Sequence, residues 1–178
     1  MIRKKYSRDY QTETVLIKGG KKTVVSYTGP YYRFAAPEAT VKRMKAVFSV
    51  LSALSTGVWL AMLLQNVRLQ ARSWMLLFPL VFCTPVVLYE LMGLWRLLTA
   101  KQRVTREHSD KLFGRLRAVG LIQAALGALT LVGAVAMTAS NPFSVRNLLL
   151  CIGAAFWAGC GAARFVLSRH LKMEPEEA

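Results

Sequence analysis

Residues 74–98 read WMLLFPLVFCTPVVLYELMGLWRLL, an apolar stretch interrupted by a single carboxylate, Glu90, and closed by a single cation, Arg96. A helix needs about 20 apolar residues to cross a hydrocarbon core of about 30 Å, and this stretch supplies them. Three further runs do the same, at 46–64, 118–137 and 147–167. A soluble core has no use for four such runs separated by short polar segments, and a membrane barrel would show alternating segments of about ten residues instead. The pattern predicts an all-α integral membrane protein, a four-transmembrane-helix bundle.

Composition points the same way. Of 178 residues, 54% are hydrophobic and 19% charged, against about a quarter charged in ordinary soluble domains. A disordered chain, a collagen-like chain and a disulfide scaffold are excluded, and a soluble enzyme does not fit. The first apolar run begins only after some forty-five polar residues without a small-residue cleavage site, so it reads as a retained span and not a signal peptide.

The basic residues set the expected orientation. Eleven precede the first run: Arg3, Lys4, Lys5, Arg8, Lys18, Lys21, Lys22, Arg33, Lys42, Arg43 and Lys45. Lys101, Arg103, Arg106, Lys111, Arg115 and Arg117 lie between the second and third, and Arg169 and Lys172 follow the fourth. The other side has only Arg68, Arg72 and Arg146. Because cytoplasmic loops carry the excess of Lys and Arg, both termini are expected in the cytoplasm, with two short loops outside. The net charge of +15 then reads as attraction to anionic headgroups. No nucleic-acid recognition motif accompanies it, so nucleic acid is not an expected partner. A compact polytopic chain of this kind is expected in a bacterial plasma membrane.

Three regions follow: a basic N-terminal segment 1–45, the membrane domain 46–168 and a short tail 169–178. Within the first, Thr14-Val-Leu-Ile-Lys18 and Thr23-Val-Val-Ser-Tyr27 are β-prone and joined by Gly19-Gly20-Lys21-Lys22, which predicts a hairpin over 14–27. Two strands alone are marginal in water, so the hairpin should lean on the bundle, the membrane or a partner. The connection 100–117 is expected to continue the second and third helices and to break near His108, with Ser109 or Asp110 as N-cap. The acidic end, Glu174-Pro175-Glu176-Glu177-Ala178, reads as a solvated, frayed tail.

Catalytic constellations are not evident. The three cysteines, Cys83, Cys151 and Cys160, form no CxxC pair. Cys151 and Cys160 are separated by about 13 Å along a helix, too far for a disulfide; all three read as small packing residues. His108 and His170 lack Cys, Asp or Glu neighbours at metal-ligand spacing, so no metal and no cofactor is expected.

The polar residues inside the runs carry more information. Ser52, Glu90, Gln123 and Arg164 fall within about 8 Å of one another in depth, with Thr56 near them. Intramembrane charges cost about 2.5–3.5 kcal/mol on insertion scales and usually face the interior in pairs. Either Arg164 or Arg96 neutralises Glu90 and fixes the bundle, or Glu90 is an exchangeable carboxylate for a proton or cation. Small residues four apart, Ser49-x3-Ala53-x3-Gly57, Ala124-x3-Ala128 and Ala155-x3-Gly159-x3-Ala163, are expected at helix contacts. Pro79 and Pro85 should kink the second helix.

The functional expectation is a non-enzymatic accessory or scaffold subunit of a membrane complex, with a membrane-protein partner or a second copy of itself. The alternative is a small oligomeric transporter or channel that uses Glu90. A lipid-active enzyme built around His108 is a third class.

Overall fold

The computed structural model describes residues 6, 9–17, 20–65, 74–100, 103–140 and 144–176. Four helices dominate: α1 (Glu38–Gln65), α2 (Trp74–Thr99), α3 (Arg106–Ser140) and α4 (Val145–His170). Each is long and apolar enough to cross a membrane. α1 packs on α2 and α4, and α3 packs on the same two, so α1 and α3 stand on the diagonal of an antiparallel bundle. Of the residues named above, Arg3, Lys4, Lys5, Arg8, Lys18, Gly19, Arg68, Arg72, Lys101, Glu177 and Ala178 lie outside the described residues.

The helices are longer than the apolar runs within them. Pro37 immediately precedes α1, and its carbonyl accepts a hydrogen bond from Val41 N at 3.0 Å, so Lys42, Arg43 and Lys45 ride on the helix and not on a preceding coil. Lys45 Nζ donates to the carbonyls of Leu98 (3.3 Å) and Ala100 (2.9 Å), placing a cation on the last turn of α2, where the helix dipole and the orphan carbonyls favour it. At 35 residues α3 is about 52 Å long, well beyond a hydrocarbon core. Its start differs from the expectation: the break falls at 100–105, Thr105 Oγ1 accepts from His108 N at 3.4 Å, and Ser109 lies buried inside the helix. Thr105 is a competent cap two residues past Arg103, and the apolar turn led by Leu112 pulls the helix back to meet it.

The extramembrane segments converge on one end. β1 (Tyr10–Ile17) and β2 (Gly20–Tyr27) form an antiparallel hairpin, in register from Tyr10↔Tyr27 to Ile17↔Gly20. It is longer than the expected 14–27 pairing. Tyr10 donates to Glu107 Oε2 at 3.2 Å, and Tyr27 Oη accepts Arg106 N at 3.1 Å, so the hairpin base leans on the first turn of α3. Burial and the neighbouring Glu107 carboxylate raise the Tyr10 pKa above the ordinary tyrosine value, which keeps its hydroxyl a donor. A second sheet has β3 (Tyr31–Phe34) at its centre, between β4 (Arg103–Thr105) and β5 (Met173–Pro175), both antiparallel to it.

The acidic tail is therefore not frayed up to Glu176. Met173–Pro175 pairs with β3, Glu176 N donates to Tyr31 O at 2.8 Å, and Glu176 is 2.8 Å from Arg103. Three segments far apart in sequence thus close over the helix ends. Beneath them Phe34, Val104 and Leu171 join Val41, Phe48, Leu97 and Leu112 in one apolar cluster. A second cluster fills the opposite half of the bundle, around Trp59, Leu76, Leu80, Leu150 and Trp157.

Of the small-residue stripes, Ala124 lies at a close helix approach, and the other positions need correction. Ala53, Gly57, Ala128, Ala155 and Gly159 are exposed, and Ser49 and Ala163 are only half-buried. A Cβ added at Gly57 or Gly159 would meet nothing within 4 Å. The close approach lies one face over, between α3 and α4: a Cβ at Gly161 would sit 2.6 Å from Ala124 N, and one at Gly127 would sit 2.8 Å from Ala158 Cα. Spacing alone did not select among several equally spaced sets of small residues; the buried Gln123 and Arg164 fix which faces turn inward. α2 runs as one helix through both prolines. Pro85 has no N–H to give Val81 O one turn back, and its ring crowds that turn; one residue further, Leu80 O accepts Trp59 Nε1 at 3.4 Å.

Gly161→Ala and Gly127→Ala should each lower the melting point of the detergent-solubilised protein, by an overpacking cost of about 1–3 kcal/mol. Gly159→Ala and Gly57→Ala should leave it unchanged or raise it.

Candidate functional site

Between the two apolar clusters runs a polar layer to which every helix contributes. α4 places Arg164 at 1% exposure, α2 places Glu90 at 3%, α3 places Gln123 at 0%, and α1 places Ser52 and Ser55 at 3% and 0%. These side chains share a level because each lies between a residue of one cluster and a residue of the other, as Glu90 does between Val87 and Leu97.

Arg164 organises the layer. Its Nη1 is 2.5 Å from Glu90 Oε2 and donates to Gln123 Oε1, also at 2.5 Å. The approach to Glu90 is an ion pair and not an aligned hydrogen bond. Nη2 donates to Leu51 O and to Ser55 Oγ, both at 2.7 Å. Ser55 Oγ is 3.3 Å from Glu90 Oε1, so the serine bridges cation and carboxylate. Gln123 turns its amide nitrogen to Trp157 O at 3.1 Å, which uses both ends of the side chain. A planar guanidinium with five donors in a fixed fork suits a layer that must satisfy acceptors on three neighbouring helices.

Of the residues picked out in the sequence, Glu90, Gln123 and Arg164 come together here, with Ser52 buried beside them. Glu90 pairs with Arg164, while Arg96 stays half-buried at the far end of α2. Ser55 was missed: it lies one helical turn past Ser52, and the choice of Ser52 and Thr56 followed depth without the direction each side chain takes from the helix axis. Thr56 Oγ1 has no hydrogen-bond partner among the described residues.

A small cavity touches the layer on its sheet side, lined by Phe48, Ser52, Glu90, Gly93, Arg115 and Arg164. Its volume of about 10 Å³ is room for one water at most. Chemically, the layer holds a charge pair out of solvent and offers little space for a substrate. The three thiols are free, with Cys83 and Cys160 buried and Cys151 half-buried beside Thr138. Among the described residues no three His, Cys, Asp or Glu side chains gather as a metal site. His108 sits in the first turn of α3, flanked by Glu107, which holds Lys111 and Tyr10.

Glu90→Gln should destabilise the protein by about 3–5 kcal/mol, because it leaves the Arg164 charge buried without a counter-charge. Ser55→Ala should cost about 1 kcal/mol, the worth of a bridging hydroxyl. Thermal unfolding followed by helical circular dichroism checks both; equal, small losses would contradict the assignment. No family model, curated protein or solved structure matches this chain.

Proposed function

We propose that the chain is a polytopic membrane protein with both termini in the cytoplasm, and that it works without catalysis, as an accessory or scaffold subunit of a membrane assembly. In this reading the bundle is a rigid insert. The sheet end is a basic platform from which the hairpin stands off.

The outward faces of the helices support the membrane part. Leu121 (57% exposed), Val132 (64%), Ile152 (56%) and Val166 (52%) point away from the bundle, an arrangement water would penalise and lipid would accept. Trp74 and Trp95 are 68% and 70% exposed and stand about 32 Å apart along α2, matching two interfacial aromatic belts across one hydrocarbon core. Among the described residues, the basic residues outside the apolar runs gather at the sheet end, with Arg146 at the other.

The observation that carries the scaffold reading is the platform itself. Three distant segments, β3, β4 and β5, close one end of the bundle, and a hairpin rises from it whose Gln11–Thr14 and Thr23–Ser26 side chains are exposed. Folding so much chain into an ordered, exposed surface suits docking better than conduction. The transporter alternative rests on the cavity beside Glu90, which is small and whose carboxylate is already paired with Arg164.

Two measurements test this. With the native thiols replaced, a cysteine at Ser26 should react with an impermeant maleimide only after the membrane is opened, and one at Ser140 should react in intact cells. Native mass spectrometry of the complex purified in mild detergent should show a second protein at fixed stoichiometry, lost when residues 10–27 are deleted while the bundle melts unchanged. A homo-oligomer with an ion flux abolished by Glu90→Gln would favour the transporter instead.

A further inference from the structure

At the sheet end, α2, the first three turns of α3 and the approach to β5 enclose an open groove of about 770 Å³. Tyr89 and Phe113 are among its apolar lining, and Arg115, Arg117 and Lys172 line it as well. Lys111 also borders it but is held by Glu107. Two carboxylates share the lining: Asp110, which accepts the Tyr6 hydroxyl at 2.9 Å, and the exposed Glu174. The three cations outnumber them.

Arg115 is the telling residue. Its guanidinium lies 4.9 Å over the Tyr89 ring, and its Nη1 is shut off from solvent with no hydrogen-bond partner among the described residues. The side chain borders both the groove and the small cavity next to Glu90 and Arg164. Around that cavity two guanidiniums face one carboxylate, leaving one positive charge in excess. A buried donor without an acceptor is costly, and an anion in the groove would meet the part of the Arg115 guanidinium that faces it with a counter-charge.

We propose that this groove binds the phosphate of an anionic phospholipid headgroup, held by Arg115, Arg117 and Lys172. The proposal rests on the membrane reading given above, because it uses the depth of the site. Arg115 and Arg117 immediately precede the apolar run 118–137, which sets the groove at the level of the headgroups. There the phosphate meets the guanidinium forks, which suit its oxygens, while the glycerol end lies along Tyr89 and Phe113.

The test is native mass spectrometry of the detergent-purified chain titrated with phosphatidylglycerol, phosphatidylcholine or inorganic phosphate. Phosphatidylglycerol should bind in preference to phosphatidylcholine. Arg115→Gln should weaken it about tenfold, the scale of a hydrogen bond to a charged group. Arg117→Gln, a change at an exposed position that spares folding, should weaken it about fivefold. Arg43→Gln, at the same end but outside the groove, should leave it unchanged. An equal loss from Arg43→Gln would overturn the groove in favour of diffuse attraction, and so would equal binding of the two lipids. Displacement of the lipid by equimolar inorganic phosphate would overturn the lipid as the source. Failure of the membrane reading shows separately, as release of the chain from membranes washed at alkaline pH.

Discussion

A guanidinium held at 1% exposure among apolar helices is the constraint on which the rest of this fold depends. In a low-dielectric interior the charge of Arg164 must be met on the spot. The bundle meets it from three sides: a carboxylate from α2, an amide from α3, and a hydroxyl and a carbonyl from α1. Those partners fix the rotation of every helix about its axis. Hydrophobic matching alone could not do so, since apolar burial is non-directional.

Once the rotations are set, the remaining packing follows. Gln123 and Arg164 turned inward bring Gly120 and Gly161 face to face, so α3 and α4 touch backbone to backbone, and α2 and α1 close the ring through Glu90 and Ser55. The apolar clusters above and below hold the layer dry. At the sheet end the same rigidity lets three chain segments meet in one small sheet, with Lys45 on the carbonyl end of α2 and Glu176 on Arg103. That end carries the basic groove as well as the hairpin.

Much of this was legible in the residues. Four runs of the right length gave four helices, and the depth of Glu90, Gln123 and Arg164 placed them on one level. What spacing could not supply was direction around each helix: Ser55 and not Thr56 reaches the pair, and Gly127 and Gly161 make contact while Gly57 and Gly159 face outward. Long-range strand pairing was equally hidden. Nothing local in Glu174-Pro175-Glu176 announces a strand, and its partner lies some 140 residues earlier in the chain. The start of α3 lies earlier than expected for a related reason, because burial of Leu112 under the sheet outweighs the local capping preference of Ser109.

The central claim is that Glu90 and Arg164 form a structural pair and not an exchangeable site. Stability of the double variant Glu90→Leu/Arg164→Met, set against the two single variants in one detergent, tests it most directly. If the pair is structural, each single change is severely destabilising while the double variant recovers most of the loss, since two apolar side chains of similar size can replace a buried pair at little cost. Additive losses in the double variant, or a Glu90→Leu protein as stable as the wild type, would contradict the account.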